Sequence, residues 1–317
     1  MHLITGANGQ IGSALSKALI QKYGSENVLS SDIRPSQMDG NFVILDVLDK
    51  DAMQDIVKTN KVTHIYHLAA ILSAKGEANP IWAWDINMKG YLNILDIAHQ
   101  LKVEKVFYPS SIAAFGSDID LSVARQNDVR NPETVYGISK VAGEIWGKYY
   151  FDKYGLDVRS VRFPGVVGWE SMPGGGTTDY AVEIYHEALK NKYYECFLEE
   201  NEALPMIYME DTIRAIVELM NAPKEQITVR TSYNLQGISF APKDIVATIK
   251  KKIPDFNVNY KPDFRQAIAA AWPNVLDDSQ AKQDWGWIPK FDLEKMTDDM
   301  FLHLKPIYEQ SNAKIKN

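Results

Sequence analysis

Cysteine is almost missing from this sequence. Cys196 stands alone among 317 residues, which excludes an intramolecular disulfide and a cysteine-rich zinc cluster. The six histidines show no HExxH spacing, so no metal site is expected. No apolar run approaches the ~18 residues that span a bilayer, and the glycine motif described below begins at Gly6, leaving no room for a cleavable leader. The expectation is a reducing, cytoplasmic setting without membrane attachment. Basic character is scarce as well. Lys and Arg number 34 against 41 Asp and Glu, a formal charge of −7, and no basic block exceeds Lys250-Lys251-Lys252. Such a balance argues against a nucleic-acid partner. Repeats, low-complexity tracts and long linkers are lacking too.

What the chain does have is apolar material, 45% of its residues, over about twice the length of an ordinary domain. Short β-branched runs alternate with helical patterns up to residue 165. The strand candidates are His2 to Thr5, Val28 to Asp32, Phe42 to Leu45, His64 to Leu68, Lys105 to Tyr108 and Asp157 to Phe163. Between them Ile11, Leu15, Leu19 and Ile20 recur at helical spacing, as do Ile86, Leu92, Leu95 and Ala98. Six strands with crossover helices predict an α/β fold built on a doubly wound, Rossmann-type parallel sheet. A Pro/Gly-rich stretch, Pro164 to Gly176, then leads into a helix with Ala181, Ile184, Tyr185 and Ala188 on one face. Two closely integrated parts are expected: a dinucleotide-binding core over 1–165 and a smaller α/β lobe over 166–317.

Thr5-Gly6-Ala7-Asn8-Gly9-Gln10-Ile11-Gly12 closes the first strand and opens the first helix. Glycines there let the backbone turn tightly and approach a pyrophosphate at a helix N-terminus. Asp32 ends the second strand 20 residues after Gly12, where a carboxylate accepts from both adenosine ribose hydroxyls and repels a 2′-phosphate, favouring NAD. Arg34, two residues on, supports the competing NADP reading.

Tyr136 and Lys140 are four residues apart, so on a helix their Cβ atoms lie ~5–6 Å apart on one face. An ammonium there favours the phenolate. Bringing a tyrosine from a pKa of ~10 to near 7 takes ~4 kcal/mol, which Lys140, hydroxyl neighbours and an oxidised nicotinamide together would supply. Ser111, at the end of the fifth strand and 25 residues before Tyr136, is placed to bond the same substrate oxygen.

Together Gly6 to Gly12, Asp32, His67-Leu68-Ala69-Ala70, Asn87, Ser111, Tyr136/Lys140 and Arg162-Phe163-Pro164-Gly165 resemble the extended short-chain dehydrogenase/reductase family over nearly the whole chain. The resemblance implies that Asp46 and Val47 cap the adenine, that Leu68, Ala69, Ala70 and Pro164 line the cofactor, and that Asn87 supports Lys140 through water. It also implies a homodimer joined by the helices around Asp85 to His99 and Tyr136 to Tyr154, both apolar on more than one face.

Three further segments, Leu72 to Glu77, Gly174 to Tyr185 and Trp272-Pro273 before Asp277-Asp278-Ser279, resemble the branch of that family made up of short-chain L-threonine 3-dehydrogenases. That likeness implies NAD-dependent oxidation of the C3 hydroxyl of L-threonine to 2-amino-3-oxobutyrate, with Tyr136 as base, Ser111 on the oxyanion and Lys140 on the nicotinamide ribose. A coenzyme A-dependent ligase would consume the product. For a small zwitterion, Asp179 is the candidate acceptor for the ammonium, and Ser73, Thr177 and the amide of Gly175 are candidate donors to the carboxylate. A plain helix-capping role for Thr178 or Asp179 is the competing reading, and the glycines suit a closing loop. Two rivals stand beside this function. A nucleotide-sugar epimerase or dehydratase would need basic side chains for a diphosphate, with Arg214 and Arg265 as candidates. A cofactor-sensing protein of the same fold would not need the acid–base residues.

Overall fold

A computed structural model describes residues 1–36, 40–174 and 176–315. The first half runs β1 (His2–Thr5), α1 (Gln10–Tyr23), β2 (Val28–Asp32), β3 (Asn41–Ile44), α2 (Lys50–Thr59) and β4 (His64–His67). Then come α3 (Ser73–Ala78), α4 (Pro80–Trp84), α5 (Gly90–Gln100), β5 (Lys105–Ser111), α6 (Val135–Tyr154) and β6 (Asp157–Phe163). The second half holds β7 (Gly165–Val167), α7 (Tyr180–Lys190), β8 (Tyr193–Cys196), β9 (Leu204–Tyr208), α8 (Met209–Asn221), β10 (Tyr233–Asn234) and β11 (Ile238–Phe240). It ends with α9 (Pro242–Lys250), β12 (Asn257–Tyr260), α10 (Phe264–Ala270), α11 (Ser279–Trp285) and α12 (Leu293–Ile315).

The central sheet has seven strands in the order β10-β6-β5-β4-β1-β2-β3, all parallel. Six are the strands expected from the apolar runs, in the order of a doubly wound dinucleotide fold. The seventh, Tyr233–Asn234, was not foreseen; two residues paired with Val161 and Arg162 carry no periodicity to read. Alternation along each strand divides the core. Ile4, Val28 and Phe107 face Leu15, Leu19, Ile216 and Leu219 of α1 and α8. Leu3, Leu29 and Val106 face Met53, Val57, Ile94 and Leu95 of α2 and α5 on the opposite side. Each fully buried Leu or Ile there contributes roughly 1.5–3 kcal/mol.

The second half adds a three-stranded sheet, β11-β9-β7, and a two-stranded one, β12-β8. Ala181, Ile184, Tyr185 and Ala188, the face expected for α7, are buried against Phe256, Met296 and Met300. Fifth-strand pairing extends beyond Tyr108: Pro109, Ser110 and Ser111 stay in register with Val161, Arg162 and Phe163. That extension carries Ser111 to the C-terminal edge of the sheet, where parallel α/β folds bind ligands. No helix among the described residues is long and apolar enough to cross a membrane.

Candidate active site

The glycine turn is fixed by close backbone approach. Gly6 has φ +75°, and a Cβ there would lie 2.6 Å from the Ala69 nitrogen; one on Gly12 would lie 2.2 Å from the Gly6 carbonyl oxygen. Neither position admits a side chain. The result is a cradle of bare backbone at the N-terminus of α1, against the Leu68-Ala69 turn after β4, and it fits a dinucleotide pyrophosphate. Gln10 donates to the Val166 carbonyl at 3.4 Å, tying the cradle to β7, and Ile11 packs into the core. Asp32 is buried at the end of β2, accepting from the Asn8 amide at 3.1 Å and the Arg34 amide at 3.2 Å. The Arg34 guanidinium lies 3.9 Å from that carboxylate and is largely in solvent. Farther along the edge Asp46 is exposed, its carboxylate closing a turn with the Leu48 amide, while Val47 is buried beside Gly90.

Thr134 caps α6 by accepting from the Gly137 amide at 3.0 Å. The next helical turn carries Tyr136 and Lys140, as their spacing predicts. Gly137 is what lets this end of the helix meet β5: a Cβ there would lie 2.1 Å from the Ala113 carbonyl oxygen. The Ser111 hydroxyl is close enough to the Tyr136 phenol to favour its ionised form, and it also accepts from the Ala113 amide at 3.2 Å. Lys140 is buried, donates to the Pro109 carbonyl at 2.7 Å, and sits 5.2 Å from the centre of the Tyr136 ring and 4.9 Å from that of Tyr108.

The electrostatics of this pair correct the simple expectation. Burial pushes the Tyr136 phenol up to about 12, and the Ser111 hydroxyl opposes the rise only in part. Burial also drives Lys140 down to about 7, with Glu144 holding it up. Proximity to Lys140 therefore does not by itself ready the phenol for ionisation, because desolvation acts against both charges.

Asn87 is clamped between backbone and helix. It accepts from the Ile71 amide at 2.7 Å and donates to the Ile71 carbonyl and to the Ser139 hydroxyl, at 3.1 and 3.3 Å. Its direct contacts are these, not Lys140. It lies in a π-helical turn, Asp85–Lys89, whose extra residue turns the carboxamide inward. Ser73 starts α3, which is held on α6 by Glu77 accepting from the Val135 amide at 2.8 Å.

Pro164 is buried beside Gly165, whose missing Cβ leaves room for Thr178 at a would-be 2.7 Å. Thr178 thus reaches the edge of the sheet at the cofactor cradle's neighbour, β7. Thr177 is buried. The Asp179 carboxylate accepts from the amides of Gly174 and Gly176 through the same oxygen, both at 2.7 Å, so it helps hold its own segment, the capping role weighed above. The other candidate of this loop, Gly175, lies outside the described residues.

Glu144 is the residue of the site that the sequence reading missed. Glu144, one turn beyond Lys140, forms a two-pronged ion pair with Arg162, both bonds 2.8 Å, and accepts from the Ser110 hydroxyl at 2.6 Å. Arg162 also donates to Asn234 and to the Gln126 carbonyl. Continuing the Tyr136-Lys140 spacing by four would have pointed to Glu144. Among the described residues no cluster of His, Cys, Asp and Glu is arranged to hold a metal. The unassigned histidines have structural partners: His67 meets Thr5, His186 meets Tyr308, and His303 stacks on Trp169. Both arginines considered for a diphosphate are engaged, Arg214 with Asp211 and Glu218 and Arg265 with Asp263.

A doubly wound sheet, a side-chain-free cradle at its first turn and a serine–tyrosine–lysine set at its edge define a dinucleotide-binding protein equipped for acid–base chemistry. The sequence profile of the NAD dependent epimerase/dehydratase family matches residues 2–235, and the chain belongs to that family, the extended short-chain dehydrogenases, with NAD as its cofactor. The mitochondrial L-threonine 3-dehydrogenase of Bos taurus is 43% identical over 303 residues, covering 94% of this chain and 81% of the relative. The structure of the GalE-like L-threonine dehydrogenase from Cupriavidus necator in its holo form superposes with a TM-score of 0.94 at 49% identity, covering 96% and 99% of the two chains. A monomeric L-threonine 3-dehydrogenase from a metagenome superposes with the same TM-score at 45% identity, covering 97% and 100%.

Proposed function

We propose that this protein is an L-threonine 3-dehydrogenase that oxidises the C3 hydroxyl of threonine to 2-amino-3-oxobutyrate. The observation that carries the reading is Lys140, 5.2 Å from the centre of the Tyr136 ring, with the Ser111 hydroxyl acting on the same phenol. Likeness to threonine dehydrogenases along nearly the full chain supports the choice of substrate.

Bound NAD supplies the hydride acceptor, and its positive ring favours an anion beside it. Gly6, Gly9 and Gly12 would cradle its pyrophosphate, Asp32 would take the adenosine ribose, and Asp46, Val47, Leu68, Ala69, Ala70 and Pro164 would wall the remainder. Tyr136 takes the C3 hydroxyl proton while the C3 hydride departs, and Ser111 donates to the developing oxyanion. Lys140 would stabilise the phenolate and hold the nicotinamide ribose. Asn87 keeps the Ile71 turn and α6 in register. Ser73 and Thr177 bond the amino acid, whereas Asp179 acts by shaping the 174–179 loop. Labour divides with the fold: 1–165, completed by α8 and β10, would hold the cofactor, the rest of 166–317 would close over the substrate, and a coenzyme A-dependent ligase would consume the reactive keto product.

The deciding experiment follows NADH formation with L-threonine, L-serine and a nucleotide sugar in parallel, using NAD and NADP. Threonine with NAD should give the signal. Turnover of the nucleotide sugar alone would overturn the reading, which the engaged state of Arg214 and Arg265 already disfavours.

A homodimer is also proposed. Ile138, Ile145, Trp146 and Tyr149 on α6, with Ile81 and Trp82 on α4, are exposed large apolar side chains, a face that a second copy would cover. Sedimentation should give twice the chain mass, and Trp146→Glu should halve it; a wild-type monomer would make this protein like the monomeric metagenome enzyme.

A further inference from the structure

Glu144 is the anion of the crevice floor, and the mechanism above makes no use of it. It is 1% exposed, on the same face of α6 as Lys140 and one turn farther from Tyr136. Three elements converge on its two oxygens. From β5, Ser110 donates at 2.6 Å; from β6, Arg162 donates through Nε and Nη2 at 2.8 Å each; from the segment before α6, the Arg130 Nε lies 3.7 Å away. The other ionisable neighbours of Glu144 are the phenols of Tyr91 and Tyr108, both kept neutral by burial. Lys140 faces His67, held neutral at about 3, together with the rings of Tyr108 and Tyr136.

A single carboxylate thus stands among three cations, Lys140, Arg162 and Arg130. Arg162 satisfies it by a fork. Among the described residues the Arg130 Nε has no hydrogen-bond partner, so its charge acts on Glu144 only through space. Lys140 is driven toward neutrality by burial, and Glu144 is the group that opposes this. Glu144 is not among the groups acting on the Tyr136 phenol itself. Its path to the base runs along α6 through Lys140, which lies 5.2 Å from the centre of the Tyr136 ring. It passes also through Ser110, whose neighbours are Pro109, the acceptor for Lys140, and Ser111.

We propose that Glu144 is a positioning residue for the reaction, a buried counter-charge that favours the ammonium form of Lys140 and locks the Pro109-Ser110-Ser111 strand end against α6. Neither substrate nor cofactor touches it. The proposal rests on the dehydrogenase reading.

The test is the pH profile of kcat/KM for threonine with NAD. Glu144→Gln removes the charge at constant shape, so Lys140 loses its proton more readily and Tyr136 ionises less readily. The ascending limb should move to higher pH by about one unit, a roughly tenfold loss of rate at any pH below it. Glu144→Asp keeps the charge and should keep the limb in place while kcat falls from the shortened reach. Arg130→Gln frees more of the Glu144 charge for Lys140 and should move the limb the other way. If Glu144→Gln does not fold, the Arg130→Gln displacement alone decides. Limbs that stay within about 0.3 unit of wild type in the variants that fold, whatever their loss of thermal stability, would reduce Glu144 to a structural ion pair and overturn the proposal. A wild type that gives no NADH from threonine would instead overturn the dehydrogenase reading.

Discussion

At the scale of single residues, the crevice is governed by what burial does to charge. Burial pushes the Tyr136 phenol up to about 12 and brings Lys140 down to about 7, so desolvation acts against the charged form of both. Removing the phenolic oxygen should therefore be felt in chemistry and not in binding. Tyr136→Phe is expected to lower kcat by about 10²–10⁴-fold, with NAD affinity by fluorescence titration within about threefold of wild type; unchanged turnover would remove Tyr136 from the mechanism. Asp32 is a different case, because its oxygens already accept from two backbone amides and so stay aimed at the cradle. Asp32→Asn removes the repulsion toward a 2′-phosphate with Arg34 nearby. The ratio of NAD to NADP efficiency should fall by roughly 10–100-fold, the range of one or two charge-assisted hydrogen bonds. A ratio that did not move would assign cofactor choice elsewhere.

Among the elements, α6 matters most, and its buried face is the part that hydrophobic periodicity does not show. Its inward face is Gly137, Ser139, Lys140, Gly143, Glu144 and Gly147, small or polar residues with no apolar stripe. The glycines are the reason it can sit so close to its neighbours: a Cβ on Gly143 would lie 2.3 Å from the Tyr108 hydroxyl and one on Gly147 would lie 2.9 Å from that of Tyr91. Tyr136 and Lys140 were legible from spacing alone. The depth at which they sit was not, since it is set by atoms of β5 that are distant in sequence. Gly137→Ala is the direct test of that depth. Forcing a methyl group against the Ala113 carbonyl should cost about 1–3 kcal/mol in urea unfolding and should lower kcat by withdrawing Tyr136 from Ser111. Full activity would mean that the approach is dispensable. The π-helical turn at Asp85–Lys89 is similar in kind: the periodicity predicted a helix there, and only the clamp of Asn87 on Ile71 explains why it is interrupted.

For the whole molecule, the buried lysine links the site to global stability. Between about 7 and its ordinary 10.5, the unfolded chain holds a proton on Lys140 that the folded chain does not. Stability contributed by this group must therefore rise with pH through that window, at most by about 1.4 kcal/mol per unit. Urea unfolding of wild type and Lys140→Met at pH 7, 8 and 9 should show a pH-dependent rise in wild type relative to the variant. Parallel curves would mean that Lys140 is charged in the folded state across the range.

The chain by itself determined the elements whose signal is local: six strands from apolar runs, the glycine cradle and Asp32 from spacing, and Tyr136 with Lys140 from one helical turn. Local signals suffice there because each feature is made by residues a few positions apart. The tertiary structure alone decided the seventh strand at Tyr233–Asn234, the capture of Asp179 by its own loop and the counter-charge of Glu144. Each depends on which groups meet after folding, and a buried carboxylate takes its partners from space: Arg162 is 18 residues from Glu144 along the chain and 2.8 Å from it in the fold.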